Sequence, residues 1–224
     1  MKLTTRTKEV LNRFSKMDGY FRFEAGSTQG MVNLKKTVLI KAEIDQKIPK
    51  KFGPVYIKDF VKLLDTFESP EVEFHQSRLV LTEGASELLV NSESPPEFKS
   101  FDSVVFPSNG MELRLDKVVV DQIKKLKRTM NRYVLEIIGD GEAVYLRTVN
   151  AWRGRDGYDL VTKLGSTKRV FSLAFNLTDV DLISDNYTLY LSDRNILKMC
   201  SESSKLTYYI ALEVMDYFDQ EEFE

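Results

Sequence analysis

Apolar residues at Val10, Leu11, Phe14 and Met17 recur at helical spacing and predict a helix over residues 7–17, with Lys8, Asn12 and Lys16 on its polar face. Two extended stretches follow, 20–24 and 31–42, the second broken near Lys35 and Lys36, then a turn-rich passage from 49 to 54. The stripe Ile57, Phe60, Val61 and Leu64 predicts a second helix over 56–67, whose outer side mixes Lys58 and Lys62 with Asp59 and Asp65. Short strands at 72–74, 79–81 and 88–90 close this half. The second half repeats the order. Val119, Ile123, Leu126 and Met130 predict a buried stripe on a helix over 116–130, with Lys117, Lys124, Lys125 and Arg128 on the far side. Strands at 133–138, 143–149, 158–163 and 169–175 come next, the first two joined by Asp140-Gly141, a hairpin signal. A shorter helix is expected near 177–183, where the first half has its second helix, and strands at 187–191, 196–199 and 206–212 finish the copy.

Two copies of one unit in one chain point to duplication. Short sequential strands joined by turns, with few helices, place both copies in the α+β class, with antiparallel sheets and helices on one face. Between the copies, Pro95, Pro96, Pro107 and Gly110 with several serines mark a connector. The division drawn is 1–103 for the first domain, 104–110 for the connector and 111–224 for the second domain. The connector carries an apolar patch, Val104 to Phe106, and the chain ends in an acidic stretch with aromatics, MDYFDQEEFE.

Composition narrows the chemistry. With 224 residues, 42% hydrophobic and 11% aromatic, each copy can bury its own core. The net charge of −2 and a pI near 5.7 argue against binding nucleic acid by bulk positive charge. A single cysteine, Cys200, forbids an internal disulfide and fits a reducing compartment; it sits in an apolar strand run and reads as a core residue. No apolar run is long enough to span a bilayer and the N-terminus lacks a signal-peptide core. Catalytic motifs are absent. One histidine, His75, and one cysteine make a structural zinc site improbable, and no phosphate-binding glycine loop occurs. Asp179 and Asp181 read as solvated carboxylates near a helix start rather than a metal pair. Neither metal nor cofactor is expected.

The positive signal is charge segregation. Lysines recur on the polar faces of corresponding helices in both copies while the whole chain is acidic. Such separation suits a polyanion meeting one surface.

Three segments carry a resemblance. The opening MKLTTRTKEVLNRFSKM, the segment DNYTLYLSDRN and the closing LTYYIALEVMD resemble, in that order, the start, a late strand and the last strand of the DNA polymerase sliding clamps of T-even type phages. The resemblance covers the whole chain. It implies a non-enzymatic processivity factor: two clamp domains per chain, sheets outside and helices inside, three chains in a ring around duplex DNA. Lys8, Lys16, Lys58, Lys62, Lys117, Lys124, Lys125 and Arg128 are then expected to face the duplex, with little help from the fourth helix and its aspartates. The resemblance implies a head-to-tail contact between edge strands, assigned to Glu87, Leu88, Leu89, Val90, Asn91 and Ser92 on one chain and Tyr158, Asp159, Leu160, Val161, Thr162 and Lys163 on the next. It also implies a partner-peptide pocket, assigned to Val104, Phe106, Leu113, Met215, Tyr217 and Phe218. Expected partners are duplex DNA, the replicative polymerase, the clamp loader and late-transcription factors, in the cytoplasm of an infected bacterial host. The alternatives are a duplicated α+β protein-binding module with no DNA role, and an enzyme with a site between its domains.

Overall fold

The computed structural model of the chain describes residues 1–95, 100–101, 105–107, 110–130, 133–149 and 159–215. The chain divides into two compact units, Met1–Val105 and Phe106–Glu224.

The first unit contains α1 (Thr5–Phe14), β1 (Tyr20–Phe23), β2 (Gly26–Val32), β3 (Val38–Ile48), β4 (Phe52–Tyr56), α2 (Ile57–Leu64), β5 (Glu71–Phe74), β6 (Arg78–Glu83) and β7 (Ser86–Asn91). Strands β4-β1-β2-β3 lie side by side in that order, all antiparallel, and β5-β6-β7 form a separate antiparallel sheet with β7 at its edge. Helix α1 begins two residues before the predicted start because Thr4 caps it: its hydroxyl accepts the Thr7 N–H at 3.1 Å. The passage expected to be turns contributes β4. Its Pro54 is tolerated because β4 is an outer strand, paired only with β1 on the described side.

Why these elements pack is plain from the aromatic residues. Phe23 on β1 touches Phe21, Phe60 of α2 and Phe74 of β5 at centroid distances of 4.7, 5.6 and 5.2 Å, and Phe21 meets Phe14 of α1 at 5.5 Å. Phe23 therefore ties its sheet to α2 and to the second sheet, and Phe21 beside it ties the same sheet to α1. Burying such a side chain is worth about 1.5–3 kcal/mol. Both helices lie flat on this core: Thr7, Val10, Leu11 and Phe14 of α1 are buried, as are Ile57, Phe60, Val61 and Leu64 of α2.

The second unit contains β8 (Gly110–Leu115), α3 (Lys117–Met130), β9 (Val134–Asp140), β10 (Ala143–Val149), β11 (Val161–Ser166), β12 (Val170–Asn176), β13 (Tyr187–Ser192), β14 (Ile196–Ser201), β15 (Leu206–Ala211) and β16 (Glu213–Val214). Strands β15-β14-β13-β8 neighbour one another in that order, and β11-β10-β9-β12-β16 make a five-stranded antiparallel sheet with β11 at one edge. The Asp140-Gly141 hairpin forms as expected. Its Asp140 carboxylate accepts the N–H groups of Ala143 and Glu142, both at 2.7 Å, which hold that carboxyl below 3.8, and Gly141 takes a φ of 95°.

The predicted fourth helix is absent. Leu177–Asp179 make one 3-10 turn, Val180 is extended, residues 181–183 carry no regular structure, and a bend follows at Ser184 and Asp185. Side chains satisfy the backbone groups that helical bonds would have used. Lys127 donates to the Leu177 carbonyl at 2.6 Å, Tyr208 donates its hydroxyl to the Asp181 carbonyl at 2.7 Å, and the Ile183 N–H donates to the Tyr187 hydroxyl at 3.1 Å. Helix α3 also differs from its forecast. Val120 and Ile123 are its buried residues; Val119 and Leu126 are only half-buried, and Met130 is 48% exposed. The helix is thus rotated by about one residue from the predicted stripe. Cys200 departs too: it faces the less covered side of β14 and is half-buried.

Candidate nucleic-acid interface

Helix α3 starts without an acidic residue in its first turn. Asn186 supplies the missing acceptor: its Oδ1 takes the Lys117 N–H at 2.8 Å. The cap is held in turn by Asp185, a buried carboxylate that accepts the Asn186 N–H at 2.9 Å, the Ser203 N–H and hydroxyl at 3.0 and 2.9 Å, and the Ser204 N–H at 3.1 Å. Burial pushes that carboxyl up, but the four hydrogen bonds outweigh it and hold it below 3.8. At the other end, Lys127 and Arg128 stand in the last turn, where cations are favoured by the helix dipole.

Between these ends α3 presents Lys117, Lys125 and Arg128, all exposed, and Lys124, half-buried. None of the four forms an ion pair among the described residues. Lys127 is a further cation that the sequence reading left out. It is half-covered, and burial lowers its pKa below 10.5 against the opposing pull of Asp181 and Asp179. Lys124, Lys127 and Arg128 rim a groove of about 210 Å³ with an apolar floor of Ile123, Leu177, Val180 and Leu182 and with Asp181 on one side. The two aspartates read as merely solvated therefore neighbour a partly buried lysine.

The first unit's cations are differently placed. Lys58 pairs with Asp18 at 3.5 Å and Lys62 with Asp59 at 3.2 Å. Asp18 also accepts the Tyr56 hydroxyl; this bond, with burial second, pushes Tyr56 up to about 12 and leads the lowering of Asp18. Lys8 donates to the Glu68 carbonyl at 3.2 Å, and Lys16 is exposed. The structure brings four unpaired cations together on α3. On α2 it ties both predicted lysines to carboxylates.

Of the expected edge strands, β7 covers residues 86–91, so five of the six assigned residues lie in it and Ser92 follows, its N–H donating to the Ser77 carbonyl at 3.0 Å. Strand β11 begins at Val161, three residues later than expected; Tyr158 lies outside the described residues, and Asp159 and Leu160 lead into the strand. Each strand is an edge with one exposed apolar residue in its run: Leu89 is 49% and Val161 46% exposed.

The expected partner pocket is not gathered as assigned. Val104, Tyr217 and Phe218 lie outside the described residues. Leu113 is 4% exposed and belongs to the core of β8, because strand alternation turns it inward. Met215 is half-buried, its N–H donating to the Ser172 carbonyl at 3.0 Å. Phe106 meets other residues instead: Tyr209 at 6.1 Å between centroids and the Lys198 ammonium at 5.9 Å, with Tyr190 on the other side of Lys198 at 5.2 Å. Tyr190, Lys198 and Tyr209 are cross-strand neighbours on β13, β14 and β15, a pairing invisible until register is known.

No protein-family model matches the chain. Over 225 aligned residues it is 23% identical to the sliding clamp of Vibrio phage KVP40, across 96% of this chain and the whole of that protein. Among solved structures it is similar to a PCNA2–PCNA3 complex from Sulfolobus tokodaii, with a TM-score of 0.60, 14% identity and 93% and 96% of the two chains covered. It also resembles DNA polymerase III subunit beta from Borrelia burgdorferi, with a TM-score of 0.67 and 13% identity over 96% of this chain and 62% of that one. A third likeness is A. fulgidus PCNA, solved with the C-terminal region of FEN-1 bound, at a TM-score of 0.60 and 13% identity over 94% of this chain and 96% of that one. The α+β architecture of two similar units is the DNA-clamp fold.

Proposed function

We propose that this chain, built on the clamp fold and similar from end to end to a phage sliding clamp, works as a sliding clamp: a non-catalytic ring that encircles duplex DNA and tethers the replicative polymerase. Two clamp units per chain and about six around the hole make the ring a trimer, closed by head-to-tail contacts. The observation that supports this best is helix α3, whose Lys117, Lys124, Lys125 and Arg128 form no ion pair among the described residues, in a chain of net charge −2. Lysines and arginines held near phosphates attract DNA without reading sequence. Several solvated contacts of similar strength leave little energetic corrugation along the duplex, so the ring is retained by threading and not by tight grip. On the first unit, Lys8 and Lys16 are proposed to meet the duplex too, and Lys58 and Lys62 to contribute less because each already faces a carboxylate.

The clamp loader and late-transcription factors are further proposed partners, with the cytoplasm of an infected bacterial host as the place of action. Among the described residues no helix is long and apolar enough to cross a membrane. The aromatic surface of Phe106, Tyr190 and Tyr209 around Lys198 is the better-supported site for a partner peptide, in place of the pocket assigned from sequence.

The test is topological. Loaded on nicked circular DNA, the protein is expected to stay bound through gel filtration and to be lost when the circle is linearised. Equal retention on circular and linear DNA points to ordinary affinity, and no retention on either leaves the protein-binding module.

A further inference from the structure

The groove beside α3 has a floor that phosphate contacts do not require. Ile123, Leu177, Val180 and Leu182 form it, each between 1% and 4% exposed. Its volume of about 210 Å³ is below that of pockets for drug-sized ligands and suits a single side chain. The rim carries Lys124, Lys127 and Arg128 against one carboxylate, Asp181. Lys127 is already turned to the Leu177 carbonyl, so Lys124 and Arg128 are the rim cations placed to meet a ligand. The groove therefore matches one apolar side chain flanked by anions.

The same chain carries such a group. Residues 216–224, DYFDQEEFE, lie outside the described residues and hold five carboxylates, three aromatic rings and no cation. They follow Met215, whose N–H donates to the Ser172 carbonyl on β12. Strand β16 is the outer strand of its sheet and runs antiparallel to β12. From Ser172 along β12 to Leu177 on the groove floor is five residues, about 17 Å at about 3.3 Å per residue. Phe218 stands three residues past Met215 and reaches at most about 11 Å, too short for the groove. Phe223 stands eight residues past it and reaches about 26–29 Å. That covers the distance and the reversal of direction that an antiparallel exit demands. Phe223 is also the aromatic residue with a glutamate on each side, Glu222 and Glu224, and Glu221 stands next to these.

We infer that Phe223 of the same chain occupies the groove beside α3 when no DNA is bound, with Glu222 and Glu224 against Lys124 and Arg128. A tethered segment this short acts at an effective concentration in the millimolar range, so weak contacts suffice. The guanidinium of Arg128 offers a planar fork that a carboxylate fits. These charges meet at an open rim, so added salt weakens the contact. Resting on the ring reading above, the segment has a second effect: it covers two of the four α3 cations proposed to face the duplex. Threaded DNA is the denser polyanion, competes for the same Lys124 and Arg128, and releases the segment. Before loading, the covered helix offers less free positive charge to stray nucleic acid, which suits a protein held on its DNA by topology.

Methyl NMR on the full chain tests this. In Phe223→Ala the methyl resonances of Leu177, Val180 and Leu182 are expected to move, because an aromatic ring leaves their surroundings. In Phe218→Ala they are expected to stay. A short linear duplex added to the native chain at low salt is expected to move the same resonances toward their positions in Phe223→Ala. Replacing Glu221, Glu222 and Glu224 together by glutamine is expected to tighten binding of that duplex at least about threefold, since the competing anion is gone. Groove resonances that ignore Phe223→Ala, or that follow Phe218→Ala instead, overturn the proposal. So do shifts that vanish on dilution, which assign the occupant to another copy, and a duplex that binds without moving the groove signals. A protein that shows the methyl shifts but is not retained on nicked circles keeps Phe223 in the groove and loses the ring reading. Retention on nicked circles with unmoved methyls does the reverse.

Discussion

The first unit holds its helices down, and the second leaves its helix standing proud. Helix α1 buries four of its ten residues and α2 four of its eight, against a net of phenylalanines centred on Phe23. Helix α3 buries two of fourteen, exposes Val118 to 69%, and rests against a one-turn 3-10 segment where the first unit supplies a full helix. Charge follows packing. The α2 lysines are drawn to Asp18 and Asp59, while the α3 cations stay open. The two units thus differ: in the first the helices serve the core, and in the second α3 serves a surface.

Reversing charge on α3 breaks this contrast most directly. Lys124→Glu with Lys125→Glu and Arg128→Glu is expected to reduce retention on nicked circular DNA by more than about 100-fold. It is also expected to flatten the salt dependence of loading by about three phosphate contacts. Lys58→Glu with Lys62→Glu should cost less than about tenfold, because those charges are already partly balanced. Equal losses at the two helices erase the asymmetry, and circular dichroism confirms that both variants are folded.

Stability offers the next contrast. Phe23→Ala is expected to cost about 3–5 kcal/mol in urea unfolding, since its fully buried ring joins α2 and two sheets. Ile123→Ala on the less packed α3 falls at the lower end, about 2–3 kcal/mol. An equal or larger loss at Ile123 means α3 is as firmly seated as α1.

Asp185 sharpens the picture by pH. Its folded pKa lies below the ordinary 3.8, so its stabilisation is present above that value and is lost as pH falls through the folded pKa. Asp185→Asn is therefore expected to lower stability by about 1–3 kcal/mol at neutral pH, with the gap to the native chain closing below pH 3.8. A gap independent of pH assigns the carboxylate no electrostatic part in capping α3.

The smallest effect is reserved for Lys127. Burial lowers its pKa, so the charged form is disfavoured at neutral pH and the penalty fades as pH rises toward 10.5. Lys127→Met should leave the urea midpoint at pH 7 nearly unchanged and flatten its alkaline dependence. A marked loss at pH 7 gives the Leu177 hydrogen bond more weight than the desolvation it opposes.

Much of the architecture was readable from periodicity. The three helices, most strands and the hairpin at Asp140 follow from local spacing and turn chemistry, both short-range properties. Helix rotation was only partly readable: of the predicted stripe Val119, Ile123, Leu126 and Met130, Ile123 is buried, but Val120 joins it in place of Val119, and only packing chooses. The fourth helix failed for a related reason, since the hydroxyls of Tyr187 and Tyr208 and the ammonium of Lys127 come from distant residues. Of the cationic surface, Lys117, Lys124, Lys125 and Arg128 were legible as a polar face. Lys127 was not, because a lysine whose stem is half-covered looks the same in sequence as a solvated one.

By itself the sequence determined the duplicated α+β plan, the placing of cations on helices, and the family to which its short motifs point, because these depend on residues near one another along the chain. Tertiary structure alone decided which cations stand without an ion pair among the described residues, that Leu113 is core, that Phe106 meets Tyr209 and Lys198, and that β7 and β11 are the outer strands of their sheets. Those outcomes depend on strand register and on partners dozens of residues away. One step of register turns every side chain of a strand to the opposite face.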